Sequence, residues 1–564
     1  MRESGPRFGS WRCCAHGGAM KATFAMGFPR RQPVFEIATG PASVGGEWTS
    51  VSSDKRVQAS TRAARRGHWV GLCAVLVLAI GVRFVHLGHA SFCHMEAWRA
   101  HWMQDGGWKE ARRFPPLLFA TGKVTQSLFG KREVPLRLPF ALAGVACVVV
   151  AYGFCRTSLG VESALMTALI IAVHPILVYY SRKQLEYSFE ALWGIAVLWA
   201  GHAAYREPRI RRFALFGLAA LGAFSSSFTG SLVVGTWLPL ILWSAFRQHT
   251  VSPRALRGAV VLTFVVALIG LAWYTWLSGV PDRGLYDRYY DTVEPVWPVS
   301  HSLADLSKWL IGATASATGF VLAVYDTWSP LNWIVAAVCM FLVAASIPVL
   351  WRRCRVILLI YLLVYLELTL AGAMRLWPFG GTRHVIFLIP LATIGVGTGL
   401  AHVAGLLRRS PATLLLLGTC LAVPAVRAVR STVISPAAYE HSRPAFDYVV
   451  EHRQPGDALF VYYFAADAFR FYWHDDGMPV FVQHDDRRGD LRAFAEEFDA
   501  WIQRHDRVWI VFAHDWKGER ERWLAHLSSR YDELDRREFN DASVHLLVTG
   551  DTENSPCANE GQRY

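Results

Sequence analysis

The amino-acid sequence predicts a polytopic α-helical membrane protein with about 11 transmembrane helices, or up to 13 if the second outer segment also spans, and a C-terminal extracytoplasmic α/β domain. Three observations predict it. Of 564 residues, 53% are hydrophobic and the mean hydropathy is +0.25, which is high for a soluble chain of this length. About eleven runs of roughly 18 or more mostly apolar residues are long enough to cross a bilayer core as helices. Beyond residue 435 the pattern changes to short apolar strands alternating with amphipathic helices.

In chain order, residues 1–67 are rich in Gly, Ser, Arg and Pro without apolar periodicity and read as a basic, disordered cytoplasmic tail. They hold no h-region of a cleavable signal peptide, so the first apolar run is expected to act as an uncleaved anchor. A membrane domain is predicted over 68–434, with apolar runs at 69–87, 138–155, 162–180, 188–205, 212–228, 230–246, 256–278, 330–350, 355–373, 384–407 and 412–429. Its two long outer segments are 88–136 and 279–329. In the first, aromatic and apolar residues recur at three- and four-residue spacing, which suits helices lying in the interface plane with Trp98, Trp102 and Trp108 at headgroup depth.

Loop charge sets the orientation. "TRAARRG" precedes the first run, and each even-numbered run is followed by basic residues: Arg156, "YREPRIRR", "RQHTVSPRALR", "WRRCR" and "LLRRSP". Lys and Arg accumulate on the cytoplasmic side, so the N-terminus is expected inside a plasma or inner membrane and residues 435–564 outside. The net charge of +13 does not imply nucleic-acid binding, because it is unevenly placed. Residues 1–67 carry 11 basic and 4 acidic side chains, whereas 435–564 carry 15 and 25. Ten cysteines form no CxxC motif and no evident disulfide framework.

In the outer domain "DALFVYY", "MPVFV", "RVWIVFA" and "ASVHLLVTG" read as strands, and "SRPAFDYVVEH", "AADAFRFYWH", "LRAFAEEFDAWIQRH" and "GERERWLAHLSSRY" as helices. Phe469, Phe471 and Tyr472 are expected to be core residues of that domain. The tripeptide "HDD", at 474–476 and again at 484–486, suits solvated loops better than metal ligation, and no metal or organic cofactor is expected.

The candidate site lies at the outer mouth of the bundle, where ionisable residues are costly to hold. Glu96, in "SFCHMEAWRAHW", is a candidate general base. A carboxylate there also suits a helix cap or a pair with Arg99. Arg83, Arg137, Lys183, Arg383 and His384 should lie on the same side and are candidates for phosphate and donor binding. Each one alone also suits interfacial snorkelling.

The order of these features resembles the GT-C superfamily of membrane glycosyltransferases, in the branch of bacterial protein O-mannosyltransferases and aminoarabinose lipid A transferases. Arg83, Ser91, Glu96 and Ala97, then Pro115, Pro116 and Leu117, then Arg137, Leu138 and Pro139 match the family's order, as do Tyr179, Tyr180, Ser181 and Tyr187. The resemblance covers roughly residues 70–550. It implies transfer of a sugar from a polyprenyl-phosphate carrier to a protein, lipid or glycan acceptor outside, with Trp98, Tyr180 and Tyr187 lining the substrate. This chain departs from the family's pattern at Met95, where the family has Asp, at Phe114, where it has His, and at Leu185, where it has Arg. Those departures leave two alternatives: Glu96 takes over as base, with Asp105 or Glu110 nearby, or the chain is a diverged member with altered or lost catalysis. The competing functions are a non-catalytic scaffold binding lipid-linked sugars and a transporter or flippase for a lipid-linked glycan. Repeated halves, which a transporter would show, are not evident.

Overall fold

The computed structural model describes residues 50–105, 114–227, 229–248, 252–278, 298, 302–323, 330–407, 410–434, 436, 440–474, 477–483, 491–515 and 518–548. Trp108, the opening of the second outer segment and the Asp residues of both "HDD" runs lie outside them. Met1–Arg62 and Ala63–Tyr564 are separate units. Apart from the start of α1, the second holds everything that follows.

The helices, in order, are α1 (Ser50–Phe84), α2 (His94–Asp105), α3 (Pro116–Phe129), α4 (Glu133–Ser158), α5 (Val161–Val173), α6 (Pro175–Ser181), α7 (Tyr187–Arg206), α8 (Ile210–Ser226), α9 (Gly230–Arg247) and α10 (Pro253–Ser278). They continue as α11 (Leu303–Val321), α12 (Pro330–Ala373), α13 (Leu388–Leu406) and α14 (Pro411–Val429). The protein is thus a multi-pass, mostly helical membrane protein. Among the described residues, five helices are long and apolar enough to cross a bilayer, or six if the bent pair α5 and α6 counts as one span. The eleven apolar runs therefore do not map one to one onto such helices. One reason is α12, which joins two of them: its apolar stretch runs 41 residues, about 60 Å at ~1.5 Å per residue and twice a hydrocarbon core. Non-helical backbone at Cys354 (φ −147°, ψ 46°) divides it.

The bend between α5 and α6 is local chemistry. Pro175 has no N–H to continue the ladder, and His174 before it is extended (φ −62°, ψ 118°), as a residue preceding proline prefers. The pair bends by 57°. Missing helical bonds leave carbonyls without donors, and Arg83 supplies them: its Nη2 donates to Ile171 O at 3.1 Å and its Nη1 to Ala172 O at 2.7 Å. Gly144 of α4 leaves the passage for that side chain, since a Cβ there would lie 2.7 Å from Arg83 Nε and 2.6 Å from Ser181 Cβ.

The C-terminal region adds α15 (Ser442–His452), α16 (Ala466–Tyr472), α17 (Leu491–Ile502) and α18 (Glu519–Ser528) to strands β1 (Ala458–Val461), β2 (Val480–Val482), β3 (Arg507–Ala513), β4 (Asp532–Phe539) and β5 (Ala542–Val548). The sheet order is β2-β1-β3-β5-β4, parallel on the β2-β1-β3 side and antiparallel on the other. Alternate residues face opposite layers. Phe460, Ile510 and Phe512 pack with Phe494, Phe498 and Trp523 of α17 and α18. Leu459, Val461, Trp509 and Val511 pack with Phe446 and Phe471, and this second layer also takes in Phe92, Ala97, Ala100 and Leu136 from the membrane part. The sheet thus seats directly on the segment around α2, and Phe469 and Tyr472 pack at the same layer.

Helix α13 approaches its neighbours backbone to backbone through small residues: a Cβ on Gly399 would fall 1.8 Å from Leu342 O of α12. We predict that Gly399→Ala lowers the thermal unfolding midpoint of the detergent-solubilised chain, with an overpacking cost of about 1–3 kcal/mol or more. Gly405→Ala, which meets nothing within 4 Å, should leave it unchanged.

Candidate active site

The segment between α1 and α2 is shaped by α4. Arg137, on the first turn and a half of α4 and 1% exposed, donates from Nη1 to Leu87 O (3.0 Å) and Ala90 O (2.7 Å), and from Nη2 to Ser91 O (3.0 Å). Its Nε and Nη2 meet Glu96 Oε1 and Oε2, both at 2.9 Å. Every N–H of the guanidinium is thereby used. Three belong to backbone and two to one bidentate carboxylate.

Glu96 is fully buried and as heavily engaged. Besides Arg137 it accepts from Gln184 N at 2.9 Å and from Cys93 N at 3.3 Å, and it pairs with Lys183 Nζ at 3.1 Å. Cys93 is the residue before α2 and Glu96 its third, so the carboxylate reaches back to the cap N–H as in the second half of a capping box. Burial alone would raise its pKa. The charges of Arg137 and Lys183, with the Arg137 and Gln184 hydrogen bonds, outweigh burial and bring it down to about 2. Such a carboxylate has little capacity to take a proton near neutral pH. Of the two chemistries the sequence offered for Glu96, the geometry displays the helix cap and ion pair, with Arg137 and Lys183 as partners.

Arg99, the partner considered from sequence, instead holds Glu186 through Nη2 at 2.9 and 3.0 Å. Its guanidinium lies 5.7 Å from the Trp98 ring. Trp98 packs on Phe114 at 5.0 Å in an apolar cluster with Met103, Leu118, Phe119 and Phe140. Leu185 is likewise buried in the main core, and Met95 packs against it. At all three departures from the family's pattern the apolar side chain thus sits among apolar neighbours.

A cleft of about 380 Å³ opens beside this cluster, lined among others by His86, Arg137, Tyr180, Arg182, Lys183 and Phe320. The structure brings Arg137, Lys183 and Tyr180 together here, next to Glu96. Arg83 does not line it and serves the α5 carbonyls instead. Arg182, which precedes Lys183 after the third apolar run, also lines it, and donates to Val85 O (2.7 Å) and His86 O (2.9 Å) past the end of α1. Tyr187 stacks edge-on to Tyr180 at 4.7 Å but is buried behind it. Arg383 acts electrostatically on Tyr187. His384 follows in the turn Arg383–Val385, its Nδ1 3.2 Å from Thr382 Oγ1 and its ring against Trp377.

Comparison with known proteins bears on this geometry. Residues 113–273 match the family model of dolichyl-phosphate-mannose-protein mannosyltransferases. The match bears out the GT-C resemblance read from the motifs, over the part of the chain that carries Arg137, Tyr180 and Lys183. Solved structures similar to this chain include ArnT from Cupriavidus metallidurans in the apo state, with 14% identity, TM-score 0.48, and coverage of 86% of this chain and 99% of that one. The same protein bound to undecaprenyl phosphate gives 14%, 0.47, 84% and 97%. The Archaeoglobus fulgidus oligosaccharyltransferase in complex with Zn and sulfate gives 12%, 0.46, 78% and 67%. No curated protein sequence matches the chain.

Because the folded pKa of Glu96 lies below its ordinary value of 4.5, its contribution to stability is present above about pH 4.5 and is lost as pH falls toward 2. We predict that Glu96→Ala costs about 3–5 kcal/mol at pH 7, as expected for an ion pair broken in a buried site. The gap in unfolding midpoint between wild type and Glu96→Ala should narrow as pH is lowered from 5 to 3. A constant gap would contradict the buried-anion assignment.

Proposed function

We propose that this chain is a membrane glycosyltransferase that moves a sugar from a polyprenyl-phosphate carrier to an acceptor on the outer side of the membrane. The observation that carries the reading is the cationic cleft beside Glu96. A sugar leaving a phosphate leaves behind an anion, and cations fixed in advance stabilise the charge that develops on it. Lys183 and Arg182 bring that charge to the wall of the cleft. Arg137 adds to the field without offering a spare N–H. Leu87, Pro175, Val178 and Phe320 give the same cleft apolar walls, which suit a prenyl chain. Basic exits from the even-numbered apolar runs support an outer location.

In this proposal Glu96 is a positioning residue. It orients Lys183, holds Arg137 against the loop and caps α2. A second reading, a scaffold that binds lipid-linked sugar without turning it over, is favoured by one observation: Glu96 is saturated with donors and the adjacent position is Met95.

Sugar transfer from a radiolabelled polyprenyl-phosphate donor, assayed in membranes expressing each variant, separates the two readings. An active wild type should lose about 10²–10³-fold in kcat on Lys183→Met, the scale of removing one donor to a developing oxyanion. Glu96→Gln should also lose activity, with kcat falling more than KM rises, because Lys183 is no longer held. A silent wild type that gains transfer on Met95→Asp would replace the enzyme with the scaffold.

A further inference from the structure

Away from the cleft, three chain segments meet where the sheet seats on α2. Glu440 precedes α15, His514 follows β3, and Asp541 lies in the turn from β4 to β5. Their side chains converge: His514 Nδ1 is 3.0 Å from Glu440 Oε1 and 3.8 Å from Asp541 Oδ2, and all three ligand atoms lie within 4.8 Å of one another. The backbone is held in register around them. His514 N donates to Asp541 O at 3.0 Å, His441 N to Asn540 O at 2.9 Å, and Asp515 N to Asp541 Oδ1 at 3.2 Å.

We propose that Glu440, His514 and Asp541 form a binding site for a divalent transition ion of the zinc class. Tetrahedral coordination with bonds of about 2.0–2.2 Å sets neighbouring donor atoms roughly 3.4 Å apart. The 3.0 and 3.8 Å separations bracket that spacing, so small side-chain adjustments complete a three-ligand set. Charge agrees: two carboxylates and a neutral imidazole offset a 2+ ion. Calcium requires six to eight oxygens, and a site led by an imidazole does not suit it. Glu440 is buried while His514 and Asp541 are about one-third exposed, so the site has both a fixed floor and an entry path. Its place gives it a role, because the other oxygen of Glu440 accepts from His94 N at 2.5 Å, at the first turn of α2 two residues before Glu96. The ion would staple the outer α/β region to the helix that carries Glu96. That role is structural and independent of the sugar-transfer reading.

The test uses the full chain in detergent, stripped with EDTA, dialysed against zinc chloride and measured for bound metal by elemental analysis. The expected result is one zinc per chain and a raised unfolding midpoint. In Asp541→Asn and His514→Gln, apparent affinity should fall by more than the roughly 10–100-fold that losing an outer-shell partner costs. His505→Gln, outside the cluster, should bind as wild type. Circular dichroism of the metal-free variants confirms that each is folded before the comparison, and Glu440→Gln, which keeps an acceptor for His94 N, is the substitute where one is not. The proposal is overturned if wild type retains no zinc, if folded variants bind as tightly as wild type, or if calcium or magnesium raises the midpoint as much as zinc.

Discussion

The bidentate pair between Arg137 and Glu96 is the interaction on which the loop between α1 and α2 depends. One end is anchored in a long membrane helix, the other in the first turn of α2. Between them the guanidinium gathers the carbonyls of Leu87, Ala90 and Ser91, so one side chain fixes the middle of the loop between α1 and α2. Burying an ion pair is costly unless its remaining donors and acceptors are met. Here they are met by backbone groups, Lys183 and Gln184, which makes the cluster an organiser of local structure as well as of charge.

The same segment is gripped from the opposite side. Tyr472 accepts from Phe92 N at 2.6 Å and donates to Glu133, Arg443 pairs with Glu133 at 2.6 Å, and Ser442 Oγ donates to Phe92 O at 3.2 Å. The aromatic face of Phe92 lies between Arg137, at 4.9 Å, and Phe471, at 4.8 Å. Polar and apolar contacts therefore converge on a few residues just ahead of α2. The sheet region is therefore packed directly against this loop.

Much of this was legible from sequence where local chemistry decides the outcome. Continuous apolar runs gave β1 and β3, because each is buried on both faces of the sheet and needs no alternation, while β5 is legible from its β-branched and aliphatic residues around the buried Ser543 and His545. Strand β4, "DELDRREF", escaped because it is an edge strand whose side chains are mostly exposed; charge suits such an edge and masks the strand signal. Arg137 and Lys183 were recognisable because they lie at the ends of apolar runs, and Glu96 because it is a carboxylate among aromatics in the first segment between such runs. Their partners were not. Nothing in the spacing says that Arg83 turns inward to a broken helix while Arg182 faces the cleft, because both choices follow from where Pro175 interrupts α5. Ligands separated by 74 and 27 residues, such as Glu440, His514 and Asp541, carry no local spacing at all. Helix count was blurred for a related reason: "WRRCR" reads as a loop, but the chain passes through it with only Cys354 leaving helical backbone.

Arg83 carries a consequence for how the chain is made. Its acceptors, Ile171 and Ala172, are synthesised 88 and 89 residues after it. At ~5–20 residues per second that interval is on the order of ten seconds. Until then the guanidinium has only Ala79 O of its own helix as acceptor, so the polar tie between α1 and the proline-broken pair forms only after α5 has been made.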